Sequence, residues 1–294
     1  MSVEINKSPF WKDYLELTKP GVQALLFLAA GSGMIIASNF SLNGGLFFFG
    51  LFGISFIAAS AGVINHIHDA LIDSKMQRTS TRPLVKGSIK ESSAIIFSIA
   101  LYCLGSAMLL IYVNSLTWVL TSLTFIFYAF IYTRYLKFLT SQNIVIGGIA
   151  GSMPPLLGWT AVTGTIDPNA WLLVLIIFTW TPPHFWALAI NKVDDYKKAG
   201  IPMLPVQRGI LFTKQHIVLY TLLLLVSTLL PYTVGMFGIL YLIMALFLGL
   251  LFLYHALKLY FDKSNNHAMK TFGYSIIYLA LLFLSMLMDR FIVL

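Results

Sequence analysis

The sequence predicts an all-α membrane protein: a polytopic helical bundle of about nine transmembrane helices, with residues 1–294 forming one integral membrane domain. Three observations predict it. Apolar residues make up 58% of the chain and charged residues 10%, where soluble domains hold roughly half and about a quarter. Several apolar stretches reach the roughly 20 residues a helix needs to cross hydrocarbon. The Lys and Arg residues also fall almost wholly in alternate inter-helix loops, the pattern that membrane topology imposes.

Residues 1–20 are polar and amphipathic, with Lys7, Lys12 and Lys19 ahead of Pro20. The apolar run at 22–38 is longer than a signal h-region and no clear cleavage site follows it, so it reads as a retained first span. Spans are expected at about 21–38, 46–68, 92–113, 116–133, 143–163, 169–190, 215–233, 236–258 and 271–290. The seventh and eighth are divided only by a short break between Pro231 and Gly235.

The N-terminus and loops 69–91, 134–142, 191–214 and 258–270 carry the basic residues. Loops 39–45, 114–115, 164–168 and 234–235 hold no Lys or Arg, and Arg290 alone breaks the separation. The basic side is therefore expected in the cytoplasm, in a multi-pass protein of the cell membrane whose partner is the lipid bilayer. Dispersed in this way, a net charge of +8 reflects topology and not nucleic-acid binding. The one cysteine, Cys103, permits no intrachain disulfide and reads as a buried structural thiol.

Asn65, Asp69 and Asp73 close the second span at a spacing of four. A step of four advances about 40° beyond a full helical turn and rises about 6 Å, so the three side chains stack on one face. They are expected where the helix meets water. Stacked carboxylates suit Mg²⁺, which takes oxygen ligands and is often shared with substrate phosphates. Lys75, Arg78, Arg82 and Lys86 follow closely, and cations beside a carboxylate–metal site suit a diphosphate. A solvated helix end with a basic loop would explain the cations but not two acids in register with an Asn.

Asn191 and Asp195 repeat the spacing at the end of the sixth span, with Ala199 where the first copy has Asp73. If both helix ends face one cavity, Asp195 joins a split metal site of unequal halves, with Asp194, Lys197 and Lys198 as weaker contributors. Both 69–91 and 191–214 are long loops, which in compact proteins are usually functional. Pro154-Pro155 and Pro182-Pro183 interrupt the fifth and sixth spans, where they line a cavity or kink a helix. His184 follows the second pair among Trp180, Phe185 and Trp186, and reads either as an axial haem ligand or as a partner for a freed carbonyl. His66 and His68 flank the acidic face as supporting or interfacial residues, and His216, His255 and His267 look interfacial.

A transporter would place its acids near mid-membrane, and a structural subunit has no use for two acidic constellations. A membrane prenyltransferase uses both. Asn65-x-x-x-Asp69-x-x-x-Asp73 resembles the signature of the membrane-bound UbiA-type prenyltransferases. The extension through Met76, Arg78, Thr79, Arg82 and Pro83 is similar to the haem-farnesylating branch of that family. So are Leu17-Thr18-Lys19-Pro20, Gly147-Gly148 with Gly151 to Trp159, Trp180 to Leu188, and Asp195 to Pro205. The chain departs in lacking a final acid in the second motif, and in having Lys137-Phe138 where the family often has Lys-Arg.

The resemblance implies that farnesyl diphosphate and haem B (protohaem IX) give haem O and diphosphate with water consumed; an aromatic quinone precursor is the alternative acceptor. It implies Mg²⁺ held by Asn65, Asp69, Asp73 and Asp195. It implies diphosphate bound by Lys75, Arg78, Arg82, Lys86 and Lys198, haem near His184, and haem A synthase as a partner.

Overall fold

The computed structural model describes residues 10–39, 41, 43–77 and 79–293. The described elements are α1 (Phe10–Leu17), α2 (Pro20–Ala37), α3 (Gly44–Asp73), α4 (Pro83–Lys86), α5 (Glu91–Tyr112) and α6 (Ser115–Ile126), which runs into a π-helix over Phe127–Leu136. Then come α7 (Lys137–Leu139), α8 (Asn143–Ser152), α9 (Pro154–Thr163), α10 (Pro168–Asn191), α11 (Val193–Lys198) and α12 (Leu204–Arg208). The last three are α13 (Ile210–Thr233), α14 (Ile239–Phe261) and α15 (Ala268–Val293). Among the described residues, nine segments are long and apolar enough to cross a bilayer, with Ser115–Leu139 and Asn143–Thr163 each acting as one. In hydrocarbon, helices satisfy every backbone polar group internally, which is why an apolar chain adopts this form.

Several boundaries move for visible reasons. α3 continues to Asp73, where an end near 68 was expected, because its last polar residues are buried by protein. The fourth span continues past 133 through the π-helix, where Thr133 Oγ1 donates to the Tyr128 carbonyl at 2.8 Å. α14 begins at Ile239, three residues later than expected. Asp289 of α15, only 2% exposed, accepts from the N–H groups of Gly238 (2.6 Å) and Tyr241 (3.0 Å). That carboxylate satisfies orphan donors and the positive end of the helix together. Cys103 is exposed on α5 instead of buried, among residues facing away from the bundle.

α10 is the central helix. Of its most apolar window 83% is buried, against 22% for peripheral α5. Leu173, Ile176 and Trp180 pack with Tyr241, Tyr278 and Phe283, and farther along Trp186 and Ile190 pack with Leu204 and Ile217. Pro182 and Pro183 lie buried inside α10 without interrupting it, whereas Pro154-Pro155 does divide α8 from α9. Membrane helices lack a hydrophobic drive toward one another, so close backbone approach at small residues holds them. At the α2–α9 crossing, a Cβ on Gly33 would lie 2.2 Å from the Pro155 carbonyl oxygen, and one on Gly158 2.0 Å from that of Ala30.

Two substitutions in one span should therefore have opposite signs. Gly158→Ala forces the α2–α9 backbones apart and should cost about 1–3 kcal/mol. Gly151→Ala, with open space around its Cβ, should stabilise α8 by about 0.5–1 kcal/mol. Thermal unfolding in detergent measures both, and equal midpoints would refute the crossing as the cause.

Candidate active site

The end of α3 carries Asn65, Asp69 and Asp73 on one stripe, each only 4% exposed. They do not meet water at a helix end, as the sequence suggested; protein encloses them. A carboxylate at that depth requires countercharge. Each rung receives one cation, and each cation arrives from a different segment.

Lys19 serves the first rung. It precedes Pro20 and holds φ 58°, ψ 62°, a left-handed conformation unusual for a residue with a side chain. This turn at the start of α2 sets its Nζ on Asn65 Oδ1 and on the Tyr128 hydroxyl at 3.1 Å. Asn65 Nδ2 in turn donates to Thr133 Oγ1 at 3.0 Å. Tyr128 and Thr133 both belong to the π-helix, whose wider turn positions them for this contact. Lys137, one residue beyond the π-helix, pairs with Asp69 Oδ2 at 2.8 Å. Arg82 closes the ladder on Asp73 Oδ2 at 2.5 Å. The loop that returns Arg82 is held by Thr79 Oγ1, which donates to the Asp73 carbonyl at 3.1 Å. Asp69 Oδ1 is buried without a partner, and so are both nitrogens of His66 beside it.

The remaining residues named from sequence are scattered. Lys75 and Lys86 are exposed near the ladder, and Arg78 lies outside the described residues. The second constellation is not a helical copy of the first. Lys192 (φ −115°, ψ 25°) breaks the chain between α10 and α11, so Asn191 and Asp195 do not stack on one helix face. Asp195 is half-buried, and Asp194 and Lys198 are exposed. Among the described residues, no three His, Cys, Asp or Glu groups converge as a metal cluster, so Asp195 does not join Asp69 and Asp73 in one acidic nest.

His184 is packed on both ring faces, by Trp180 with centroids 4.2 Å apart and by Phe272 at 4.5 Å. Its Nδ1 shares a hydrogen bond with Ser275 Oγ at 2.6 Å. This packing fixes the orientation of the imidazole in the core around α10 and gives Nδ1 a hydroxyl partner in place of a freed carbonyl. His255 and His267 are not simply interfacial: His255 Nδ1 and His267 Nε2 lie 2.9 Å apart in a shared hydrogen bond. They stand beside the Asp262 turn, where the Ser264 hydroxyl and the backbone N–H groups of His267 and Ser264 hold the carboxyl down at about 2.

Comparison with known proteins places this arrangement. The model of the UbiA prenyltransferase family matches residues 24–287. The chain belongs to that family. A protein of Alcanivorax borkumensis named protoheme IX farnesyltransferase is 53% identical over 284 residues, covering 96% of this chain and 94% of its own. One of that name from Legionella pneumophila is 53% identical over 281 residues, with 96% of each chain covered. Among solved structures, one titled for digeranylgeranylglyceryl phosphate synthase in membranes matches with TM-score 0.78 at 25% identity, over 96% of this chain and 98% of that one. A UbiA homologue from Archaeoglobus fulgidus bound to GPP and Mg²⁺ matches with TM-score 0.65 at 17% identity, over 93% and 99%.

The candidate site has a donor set fit for a hard cation. Two carboxylates and an amide oxygen lie along one stripe, and one carboxylate oxygen, Asp69 Oδ1, is buried and unclaimed. Mg²⁺ keeps several waters and is often bound through one or two carboxylates plus phosphate, so a tighter acid cluster is not required. Lys19 and Lys137 join the candidate site in ways the sequence reading missed; Lys137 was noted only for the Lys137-Phe138 departure from the family pattern. The available signal was charge: both are basic residues flanking apolar runs at the end that holds the acids.

The pairing predicts a specific double-mutant result. Lys137→Met leaves Asp69 buried and uncompensated, and should destabilise the protein by about 3 kcal/mol. Adding Asp69→Asn should recover most of that stability. Thermal unfolding of the two variants in detergent checks it, and additive losses would show that the two groups are not coupled.

Proposed function

We propose that this chain transfers the farnesyl group of farnesyl diphosphate to a vinyl group of protohaem IX, giving haem O and diphosphate. One observation carries the reading: the three-rung ladder of acids and cations, in a chain 53% identical to named protoheme IX farnesyltransferases over 96% of its length. The identity speaks for haem over an aromatic quinone precursor as acceptor.

Asn65, Asp69 and Asp73 would hold Mg²⁺, which when bound neutralises diphosphate charge. Lys19, Lys137 and Arg82 each occupy a carboxylate or amide oxygen in the ligand-free protein. A magnesium diphosphate brings both signs of charge at once, so the acids can exchange their cations for metal while the cations turn to phosphate oxygens. The ladder is thus prepaired for the ligand and costs little to reorganise. Lys75, Lys86 and Lys198 would stand at the approach to the site and draw an anion inward; Arg78, outside the described residues, is kept as a diphosphate contact on the resemblance alone. Asp195 on α11 is assigned to the same mouth, reaching the ligand through its metal or its waters.

With the leaving charge stabilised, the C1–O bond of farnesyl diphosphate breaks and an allylic cation forms. The vinyl π electrons of haem form the new C–C bond, water adds to the resulting cation, and one proton is lost. Apolar walls limit premature capture of the farnesyl cation by water. In this reading the basic end of the bundle is cytoplasmic and the membrane is the cell membrane, because Lys and Arg concentrate on that side. Haem A synthase, acting next on the product, would receive it through the bilayer.

Two measurements test the proposal. Asp69→Asn and Asp73→Asn, chosen to keep shape at buried positions, should each lower haem O formation about 100-fold or more. Near-wild-type product from either variant refutes the assignment of the acids. Reporter fusions at residues 205 and 265 should report the cytoplasm, and one at 166 the outside; the reverse pattern overturns the orientation.

A further inference from the structure

Among the described residues of the ladder region, His66 is a buried side chain with no polar partner at all. It is 3% exposed, and neither ring nitrogen has a hydrogen-bond partner. Buried polar groups are nearly always paired, and each exception calls for a cause. The helical spacing shows where the ring stands. At about 100° per residue, Asn65, Asp69 and Asp73 project at roughly 0°, 40° and 80°, and His66 at roughly 100°. His66 therefore shares the stripe of the acids, nearest in angle to Asp73. Its neighbour His68 falls off that stripe and is exposed. Along the helix His66 is one residue from Asn65 and three from Asp69, the rungs that receive Lys19 and Lys137.

Resting on the prenyltransferase reading, we propose that His66 is a catalytic residue that donates a ring N–H to an oxygen of the substrate diphosphate. Three features select that ligand. The cations on the neighbouring rungs favour an anion at this spot over a metal ion. Mg²⁺ prefers oxygen ligands and would not choose an imidazole beside the unclaimed Asp69 Oδ1. A neutral imidazole carries one N–H in either tautomer, so it serves an anionic oxygen without any change of protonation. In the ligand-free protein the orphaned ring is a cost to stability that the diphosphate removes on binding. This is the arrangement expected of a group kept for a ligand and not for packing.

The test is calorimetric titration in detergent, with Mg²⁺ and the uncleavable farnesyl thiodiphosphate, on wild type, His66→Phe, His66→Gln and His66→Asn. His66→Phe should bind about tenfold more weakly, the size of one hydrogen bond to a charged group. The amide nitrogen of Gln stands close to the place of Nε2, and that of Asn close to Nδ1. One of the two should bind within about threefold of wild type, identifying the donating nitrogen. Without ligand, His66→Phe should unfold at or above the wild-type midpoint, because an unpaired polar group has been removed. Titration with haem should be unchanged in all three variants.

Equal thiodiphosphate affinity in every variant overturns the proposal and returns His66 to an ordered water. A loss that disappears at saturating Mg²⁺ also overturns it, in favour of metal ligation. If wild type itself does not bind the thiodiphosphate, the prenyltransferase reading has failed and not merely the role of His66.

Discussion

The compensation of two buried carboxylates organises the polar half of this protein. Asp69 and Asp73 lie at the end of a 30-residue helix under nearly complete cover. Burying such groups is tolerable only with paired charge, and truncating a partner would leave the other stranded. The countercharges come from the loop after α3 and from the residue beyond the π-helix, and Lys19 in the turn before α2 adds a third cation on Asn65. Three segments far apart in sequence are thereby tied to one face of one helix. The strained conformation of Lys19 and the irregular winding at 127–136 are local costs met at the same place. Strain and π-turns concentrate at functional sites because regular geometry cannot aim side chains this way.

The apolar half follows a different rule. Lipid is as apolar as the side chains it would replace, so burial alone does not assemble the helices. Contact between α2 and α9 depends on glycines that let backbone meet backbone, and α10 is enclosed by packing from α8, α13 and α15. His184 belongs to this half of the structure. Two stacked rings and Ser275 hold it as part of the core around α10. An intramembrane histidine reads as functional by default, and here the neighbours across the bundle fix its orientation and engage Nδ1.

The two acidic constellations show how local pattern and tertiary context diverge. Asn65-x-x-x-Asp69 and Asn191-x-x-x-Asp195 are identical in spacing. The first lies on an unbroken helix that protein surrounds, so the spacing becomes a stripe. The second straddles the break at Lys192 and sits at a surface loop, so the same spacing becomes two unrelated directions. Spacing predicts a shared face only where the helix is continuous. Nothing in the residues 191–195 announces the break.

By itself the sequence determined the fold class, the number of spans, their alternation of basic and neutral ends, and the ladder on α3. Each depends on composition or on a period within one segment, and hydrocarbon leaves the backbone no other option. Tertiary structure alone decided which cation meets which acid and that the acids are enclosed. It also decided that Asp289 caps α14, that Cys103 faces outward, and that His66 stands unpartnered among charges. Within the ladder these contacts join segments up to 109 residues apart, as between Lys19 and Tyr128. No one-dimensional period encodes such a contact; it exists only once helices are laid side by side.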